Sequence, residues 1–382
     1  MNPAAEFDVI VYGATGYTGR LVAEHLARTY GVGDVKWAMA GRSQAKLEEV
    51  RDEIGAPKDT LLIVADADDP ASLEAMVKRA KAVITTVGPY QLYGDALIAA
   101  CAAAGTDYLD LTGEPNWMAR TIAAHHETAK KTGARLLHSC GFDSIPFELG
   151  VWFVEETAKQ QLGAPVPRVK GRVRGIKGGL SGGTAASGAA TMAAIQKDPS
   201  QLGVMMNPFS LTPGFEGPAQ PPGNAKAHDE DVGADVGPFM MAVINTKNVH
   251  RSNYLMGHPW GRDFQYDEMT ILAPGSDVEF TQIGDAGPKP GEGPTKEERE
   301  TGFFDILMVG IAADGRKVKA SVKGDKDPGY GSTSKMIAES ALCLVKECAD
   351  VEGGVWTPGA AMQGKLVDRL TKNAGFTFTV ES

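Results

Sequence analysis

An apolar run opening at Phe7, with a strand read at Asp8–Tyr12, breaks into three glycines at three-residue spacing, Gly13, Gly16 and Gly19, and an amphipathic segment, Arg20 to Tyr30, follows at once. A buried parallel strand that ends in such a turn brings the backbone close to a pyrophosphate lying on the N-terminus of the next helix. Gly13, Ala14, Thr15, Gly16, Tyr17, Thr18 and Gly19 are therefore the candidate phosphate-binding residues. The same spacing also serves a plain strand-to-helix turn. It is the strand before and the helix after that favour a dinucleotide site.

A second apolar stretch, Lys36 to Ala40, ends in Gly41, Arg42 and Ser43. NAD-preferring sites place an acid at this point to accept from the ribose 2′-OH, whereas an arginine pairs with a 2′-phosphate. Asp34 and Glu48 are the nearest carboxylates, and neither sits at the strand's end. Arg42 and Ser43 thus point to NADP(H), against the reading of Arg42 as a solvated surface charge. Asp66 closes the next strand, Leu61–Val64 and its continuation, and is a candidate partner for the adenine amino group. Asp68 or Asp69 is the more natural N-cap of the helix expected at Pro70–Lys81.

Further strands read at Ala82–Val87, Tyr108–Leu111 and Arg135–His138, and further helices at Gln44–Ile54, Asp95–Ala104 and Asn116–Thr132. Six strands joined by helical crossovers make an α/β, Rossmann-like doubly wound parallel sheet over residues 1–150. After a helix at Phe147–Leu162 the pattern changes to Val169–Lys177 and a hairpin, Phe304–Ala312 with Lys317–Val322, turning at Asp314-Gly315. This predicts a second, α+β domain on a mainly antiparallel sheet over 151–330. Residues 331–382, with a helix at Ser332–Ala349, are expected to return to the first domain. Pro199–Gly237 and Pro274–Gly302 resist assignment.

The 382 residues carry a net charge of −10 and no basic run, which argues against nucleic acid as a partner. No segment has the length of a transmembrane helix, and Met1–Asp8 does not read as a signal peptide, so the expectation is a cytoplasmic protein. Cys101, Cys140, Cys343 and Cys348 show no metal or disulfide spacing, and no metal site is expected.

Taken in order, GATGYTGRLVAEHL, AGRSQAKLEEV, VGPYQLYGDALIAACAAAGTDYLDLTGE, CGFDSIPFELG and GGVWTPGAAMQGKL resemble the saccharopine dehydrogenase-like oxidoreductases. The nearer resemblance is to the branch holding the mycobacterial trans-acting enoyl reductases and the animal saccharopine dehydrogenase-like proteins found with lipid droplets. It implies an NADP(H)-binding Rossmann domain, a mixed α/β second domain and C-terminal helices packed on the first. It does not fix the substrate.

Ligands of such sheets bind beyond the carboxyl ends of the strands. There Val87, Gly88, Pro89 and Tyr90 face the nicotinamide ribose, and Tyr90 or Tyr93 is a candidate proton donor, against the reading of two aromatics packing a loop. Cys140 and Gly141 are candidate cofactor contacts. Cys140 fits a small buried hydrophobe better than a nucleophile. Asp143 is a candidate for orienting the substrate or the cofactor amide, Ser144 is expected to cap the following helix, and Glu114 to make a cofactor or interdomain contact. The glycine- and alanine-rich Ser181–Met192 opens a helix that serves either anion binding or close packing.

No tyrosine has a lysine four positions later, which removes the short-chain dehydrogenase pair. Between Gly175 and His250 there is no arginine, whereas a substrate rich in carboxylates calls for bidentate guanidinium groups. Met205, Met206, Phe209, Phe215, Phe239, Met240 and Met241 offer an apolar cleft or ordinary core. The sequence thus predicts an NADP(H)-dependent oxidoreductase acting on a C=C, C=O or C=N bond of a weakly charged, acyl-type substrate, with peripheral lipid association and a homodimer as open expectations. A saccharopine-type amino-acid dehydrogenase and a non-catalytic NADP(H)-binding sensor or scaffold are the alternatives.

Overall fold

The structure, a computed structural model, describes residues 5–31, 33–179, 182–276, 289 and 291–382. The chain begins β1 (Phe7–Tyr12), α1 (Tyr17–Thr29), β2 (Trp37–Gly41), α2 (Gln44–Glu53), β3 (Leu61–Val64), α3 (Pro70–Val77), β4 (Ala80–Thr85), α4 (Tyr90–Tyr93), α5 (Asp95–Ala104), β5 (Asp107–Leu109), α6 (Pro115–Thr132) and β6 (Arg135–Leu137). It continues α7 (Ile145–Leu162), β7 (Arg168–Lys177), α8 (Gly182–Lys197), α9 (Gln201–Met206), β8 (Ala227–Asp229), β9 (Ala234–Pro238), α10 (Ala242–Leu255), β10 (Gln265–Ile271), α11 (Lys296–Thr301), β11 (Phe303–Ile311) and β12 (Lys317–Gly324). A single π turn, Pro328–Ser332, leads into α12 (Thr333–Glu347), β13 (Gly354–Trp356), α13 (Pro358–Asn373) and β14 (Phe376–Glu381).

The first sheet has seven strands in the order β13-β6-β5-β4-β1-β2-β3, and every pairing is parallel. Its strands are buried on both faces: Val9 and Val11 join one core cluster, Ile10 and Tyr12 the other. That double burial is why they read as near-continuous apolar runs. In α1 the buried positions Gly19, Val22, Ala23 and Leu26 form one helical stripe against the sheet. The second sheet runs β14-β12-β11-β7-β10-β9-β8, antiparallel except for the β7–β10 pair. One apolar core passes from the first sheet to the second through α7 and α12.

Three sequence expectations change. The parallel sheet gains a seventh strand, β13, which is three residues long and too short to show periodicity. Residues after 331 serve both sheets, because β13 pairs with β6 whereas β14 pairs with β12. Of the two unassigned stretches, 199–237 holds α9, β8 and most of β9, and 274–302 holds α11, while 277–288 and 290 lie outside the described residues. The helix expected to reach Lys81 stops at Val77, since Ala80–Thr85 is drawn into β4 beside β1.

Candidate active site at the carboxyl edge of the parallel sheet

The three glycines of the first turn do different work. Gly13 has φ +87°, a left-handed conformation, and a Cβ there would stand 2.8 Å from Val87 Cγ2. A Cβ on Gly19 would lie 2.1 Å from Gly13 O, so its absence lets α1 pack on the turn. At Gly16 a Cβ would meet only Gly13 O, at 3.2 Å, which leaves the space in front of it open. Gly16 is also the N-cap of α1, no side chain caps that helix, and its first turn holds no acid. Open space before uncapped amides is the shape an anion needs, and the residues present fit a pyrophosphate.

Arg42 is exposed and makes no hydrogen bond or ion pair among the described residues. Burial pushes the Tyr12 phenol up to about 12; the Asp66 carboxylate adds to that effect and the Arg42 charge opposes it, so both residues flank Tyr12. Asp66 Oδ1 accepts from the Asp68 amide at 3.1 Å, and Asp69 caps α3. Ser43 Oγ accepts from the Lys46 amide at 3.4 Å and caps α2. A cation with a free fork at the end of β2 fits a 2′-phosphate. Tyr17 points elsewhere than expected: its hydroxyl donates to Pro294 O and accepts from Arg299 Nη1 at 2.9 Å, with Tyr330 edge-on at 5.2 Å. This clasps a segment leading into α11 onto the glycine turn.

Farther along the sheet edge the loops after β4, β5 and β6 meet α8. Ser187 Oγ lies 3.7 Å from the Cβ position of Gly88 and hydrogen-bonds Glu114. Glu114, which burial pushes up, accepts from the Tyr90 and Gln91 amides at 3.0 and 2.8 Å and so caps α4. The Tyr90 phenol is not free for chemistry. It donates to Thr85 O and accepts from the Leu111 amide, both at 3.1 Å, beneath the loop. Burial, then the Asp110 charge, holds it well above the ordinary phenol value. Tyr93 is 46% exposed, and its hydroxyl has no hydrogen-bond partner among the described residues.

Cys140 is fully buried, its thiol pushed up by burial, and a Cβ on Gly141 would press on Leu111 and Thr333 at 2.9 Å. Both residues are buried in the loop after β6. Asp143 is different: it is only partly buried in accessible surface, and a Cβ on Gly113 would stand 3.3 Å from its Oδ2. Its carboxyl has no hydrogen-bond partner among the described residues, and burial alone pushes it up to about 7.

Ser144 does not cap α7 as expected. Its hydroxyl turns away to donate to Asn245 Oδ1 at 3.3 Å and to accept from Asn248 Nδ2 at 2.6 Å. Asn245 Nδ2 in turn donates to Glu268 Oε2 at 2.9 Å. These α10 and β10 residues were missed. The signal was Asn245, Asn248 and Ser252, spaced i, i+3 and i+7, a polar stripe on one helix face that is wholly buried.

The comparisons agree with this geometry. Residues 9–137 match the family model described as the saccharopine dehydrogenase NADP binding domain. The chain is 37% identical over 410 aligned residues to the trans-acting enoyl reductase of Mycobacterium bovis, covering 97% of each chain. A Mycobacterium tuberculosis protein that bears the same name provisionally is 39% identical over 402 aligned residues, covering 96% of this chain and 95% of that one. The apo saccharopine dehydrogenase (L-Glu forming) of Saccharomyces cerevisiae shares the fold, with a TM-score of 0.54 at 11% identity over 98% of this chain and 99% of its own. An open glycine turn, a free Arg42 and this kinship together make the chain a member of the saccharopine dehydrogenase-like family of NADP(H)-dependent oxidoreductases.

Proposed function

We propose that the protein reduces the C=C bond of an apolar acyl substrate, with Asp143 as proton donor. The observation that carries the substrate class is an exposed apolar surface beside the site. Leu92, Met192, Leu202, Met206, Met240 and Val243 are all exposed; Met240 lies in the turn before α10 and the others sit on α4, α8, α9 and α10. Those helices are tied into one neighbourhood: Gln91 Nε2 bonds Thr191 Oγ1 at 3.2 Å, and Lys247 Nζ bonds Met205 O at 2.8 Å. Large apolar side chains concentrated in one place mark a binding surface, and thioether chains adapt to irregular ligands. Of the seven residues expected to line a cleft, Met206 and Met240 belong to this surface, whereas Phe209 is core, packed on Phe215 and His250.

A saccharopine-type substrate would need free guanidinium groups, and the arginines of the second sheet are spent. Arg168 pairs with Asp267, Arg172 with Asp229 and Asp267, and Arg174 with Asp305 and Glu381, while Arg251 on α10 is buried on the Leu211 and Val355 carbonyls. In the reading proposed, Gly13–Gly19 and the α1 amides hold the pyrophosphate, Arg42 and Ser43 the 2′-phosphate, and Asp66 the adenine. When bound, NADPH supplies the hydride. The chain's own residues seat the acyl group on the apolar surface, keep water from the edge of the sheet, and deliver a proton from the Asp143 carboxyl to the carbon α to the carbonyl. The hydride at Cβ and that proton at Cα complete the saturated product, and solvent reprotonates Asp143. Division into residues 1–150, 151–330 and 331–382, lipid association and a homodimer belong to the same proposal.

NADPH oxidation is measured with trans-2-dodecenoyl-N-acetylcysteamine, and separately with lysine plus 2-oxoglutarate. Turnover is expected only with the enoyl thioester, and Asp143→Asn should lower it by about 10²–10⁴. Turnover confined to the amino-acid pair overturns the reading.

A further inference from the structure

The turn that carries Asp143 is held in a conformation its sequence does not favour. Ser144 has φ 143° and ψ −33°, a region that only glycine enters easily. Such a residue persists only where its surroundings over-determine it, and here they do. The Ser144 side chain is completely buried. Its hydroxyl is gripped from both sides by Asn245 and Asn248, and Asn245 is anchored to Glu268, whose other oxygen accepts from Tyr266 Oη at 2.9 Å. Four residues farther along α7, Glu148 Oε2 accepts from Ser252 Oγ at 2.6 Å and from the Gly359 amide at 2.9 Å. A polar seam therefore runs between α7 and α10 inside an apolar core, and it begins at the residue next to Asp143.

Burying so many amide and carboxyl groups is costly unless each finds a partner, and for packing alone apolar residues would serve better. We propose that Ser144 is a positioning residue: its hydroxyl, locked by Asn245 and Asn248, fixes the turn that presents the Asp143 carboxyl across Gly113 to the substrate. The second sheet, through β10 and α10, thereby sets the geometry of chemistry done at the edge of the first. This rests on the reading of Asp143 as proton donor. The other ionisable groups near the turn are Glu114 after β5, Glu148 on α7 close to Arg251, and Glu268 on β10. Each of these three carboxyls has hydrogen-bond donors of its own, and of the four only Asp143 is shifted by burial alone.

The test uses the full chain with three changes, Ser144→Gly, Asn248→Ala and Asp143→Asn, singly and with Ser144→Gly combined with Asp143→Asn. Ser144→Gly keeps the backbone conformation accessible while removing the lock, and Asn248→Ala removes the shorter of its two hydrogen bonds while keeping the serine. Four quantities are read: NADPH affinity by fluorescence, melting temperature, kcat and its pH profile with the dodecenoyl thioester, and the Asp143 carboxyl titration by carbon-13 NMR, its signal identified by its loss in Asp143→Asn. Both lock variants should bind NADPH within about threefold of the parent, lose up to roughly a hundredfold in kcat, and show the Asp143 titration moved toward the ordinary carboxylate range. In the Asp143→Asn background, Ser144→Gly should cost nothing further. An unmoved Asp143 titration in both lock variants overturns the proposal, as does an equal kcat loss with and without Asp143. Should Asp143→Asn itself retain full kcat, the proton-donor reading fails by that result alone, while the NMR titration still decides whether Ser144 positions the turn.

Discussion

Gly16 and Gly19 lie three residues apart in the same turn, yet a side chain at each should fail in a different way. The Gly16 backbone, φ −78° and ψ 168°, is extended and suits any residue. A Cβ there meets one carbonyl oxygen at 3.2 Å, a contact relieved by a shift of a few tenths of an ångström. Replacing glycine in a permitted conformation also trims unfolded-state entropy, worth about 0.4–1 kcal/mol, so Gly16→Val should melt close to the parent. The valine branches would stand where the pyrophosphate approaches. Loss of two amide–phosphate hydrogen bonds, at about 1.5–3 kcal/mol each, weakens NADPH by about 10²–10⁴. A Cβ on Gly19 instead falls 2.1 Å from Gly13 O and 2.7 Å from Gly13 C, both backbone atoms that cannot rotate away. Gly19→Ala should therefore lower the melting temperature together with the affinity. Calorimetric titration with NADPH and a thermal melt on each variant separate the cases. A Gly16→Val protein that melts normally and binds NADPH within about threefold of the parent would refute the placement of the pyrophosphate.

Arg42→Ala should weaken NADPH by about tenfold to a hundredfold and leave NADH nearly unchanged, since one charge-assisted contact is worth about 1.5–3 kcal/mol; parallel titrations with both cofactors check it. Tyr90→Phe should destabilise by about 1–3 kcal/mol through an unpaired Leu111 amide while kcat at low temperature is kept, and a kcat loss near 10²-fold would restore the phenol as a proton donor. Glu339 is buried, which works to raise its carboxyl, but hydrogen bonds from His25 and Tyr30 and the Arg369 charge outweigh that and hold it below the ordinary value. Because the folded value is the lower one, its stabilisation is present above the unfolded carboxylate range and is lost as pH falls through the folded value. Urea melts against pH should show that acid limb flattened in Glu339→Gln. Asp143 has the opposite sign: its folded value of about 7 lies above the unfolded carboxylate range, so stability is lost as pH rises through that interval and the loss is complete above about 7. Asp143→Asn should accordingly raise the melting temperature at pH 8 more than at pH 5.

The parallel sheet was readable because its strands are buried on both faces and its turns are marked by glycine, proline and helix caps. Boundaries moved by one or two residues at most strands, and Arg42 and the glycine turn could be named from local pattern alone. Local pattern misled where a side chain's partner is remote in sequence. Tyr90 looked available beside a glycine-proline turn, but its hydroxyl is used by Thr85 and Leu111. Ser144 stood at a helix start with a capping residue type, but its partners lie 101 and 104 positions away on α10. That helix was itself hard to see, because its buried residues are mostly polar, with only Ile244 and Val249 apolar, against the periodicity used to find helices. The cores of the two sheets join through α7 and α12, and although both helices read from the sequence, their burial on nearly every side does not show which sheet each packs on.

In the proposed reaction the cofactor would supply a hydride to an apolar enoyl group and the chain would add the proton. Incubating the protein with trans-2-dodecenoyl-N-acetylcysteamine and NADPH deuterated at C4, in each of its two stereochemical forms, tests this directly by mass spectrometry and NMR of the acyl product. The expected product is a saturated thioester carrying one deuterium at C3 from one of the two cofactors and one solvent hydrogen at C2. An unreduced thioester, with deuterium appearing only in the product of lysine and 2-oxoglutarate, would contradict it.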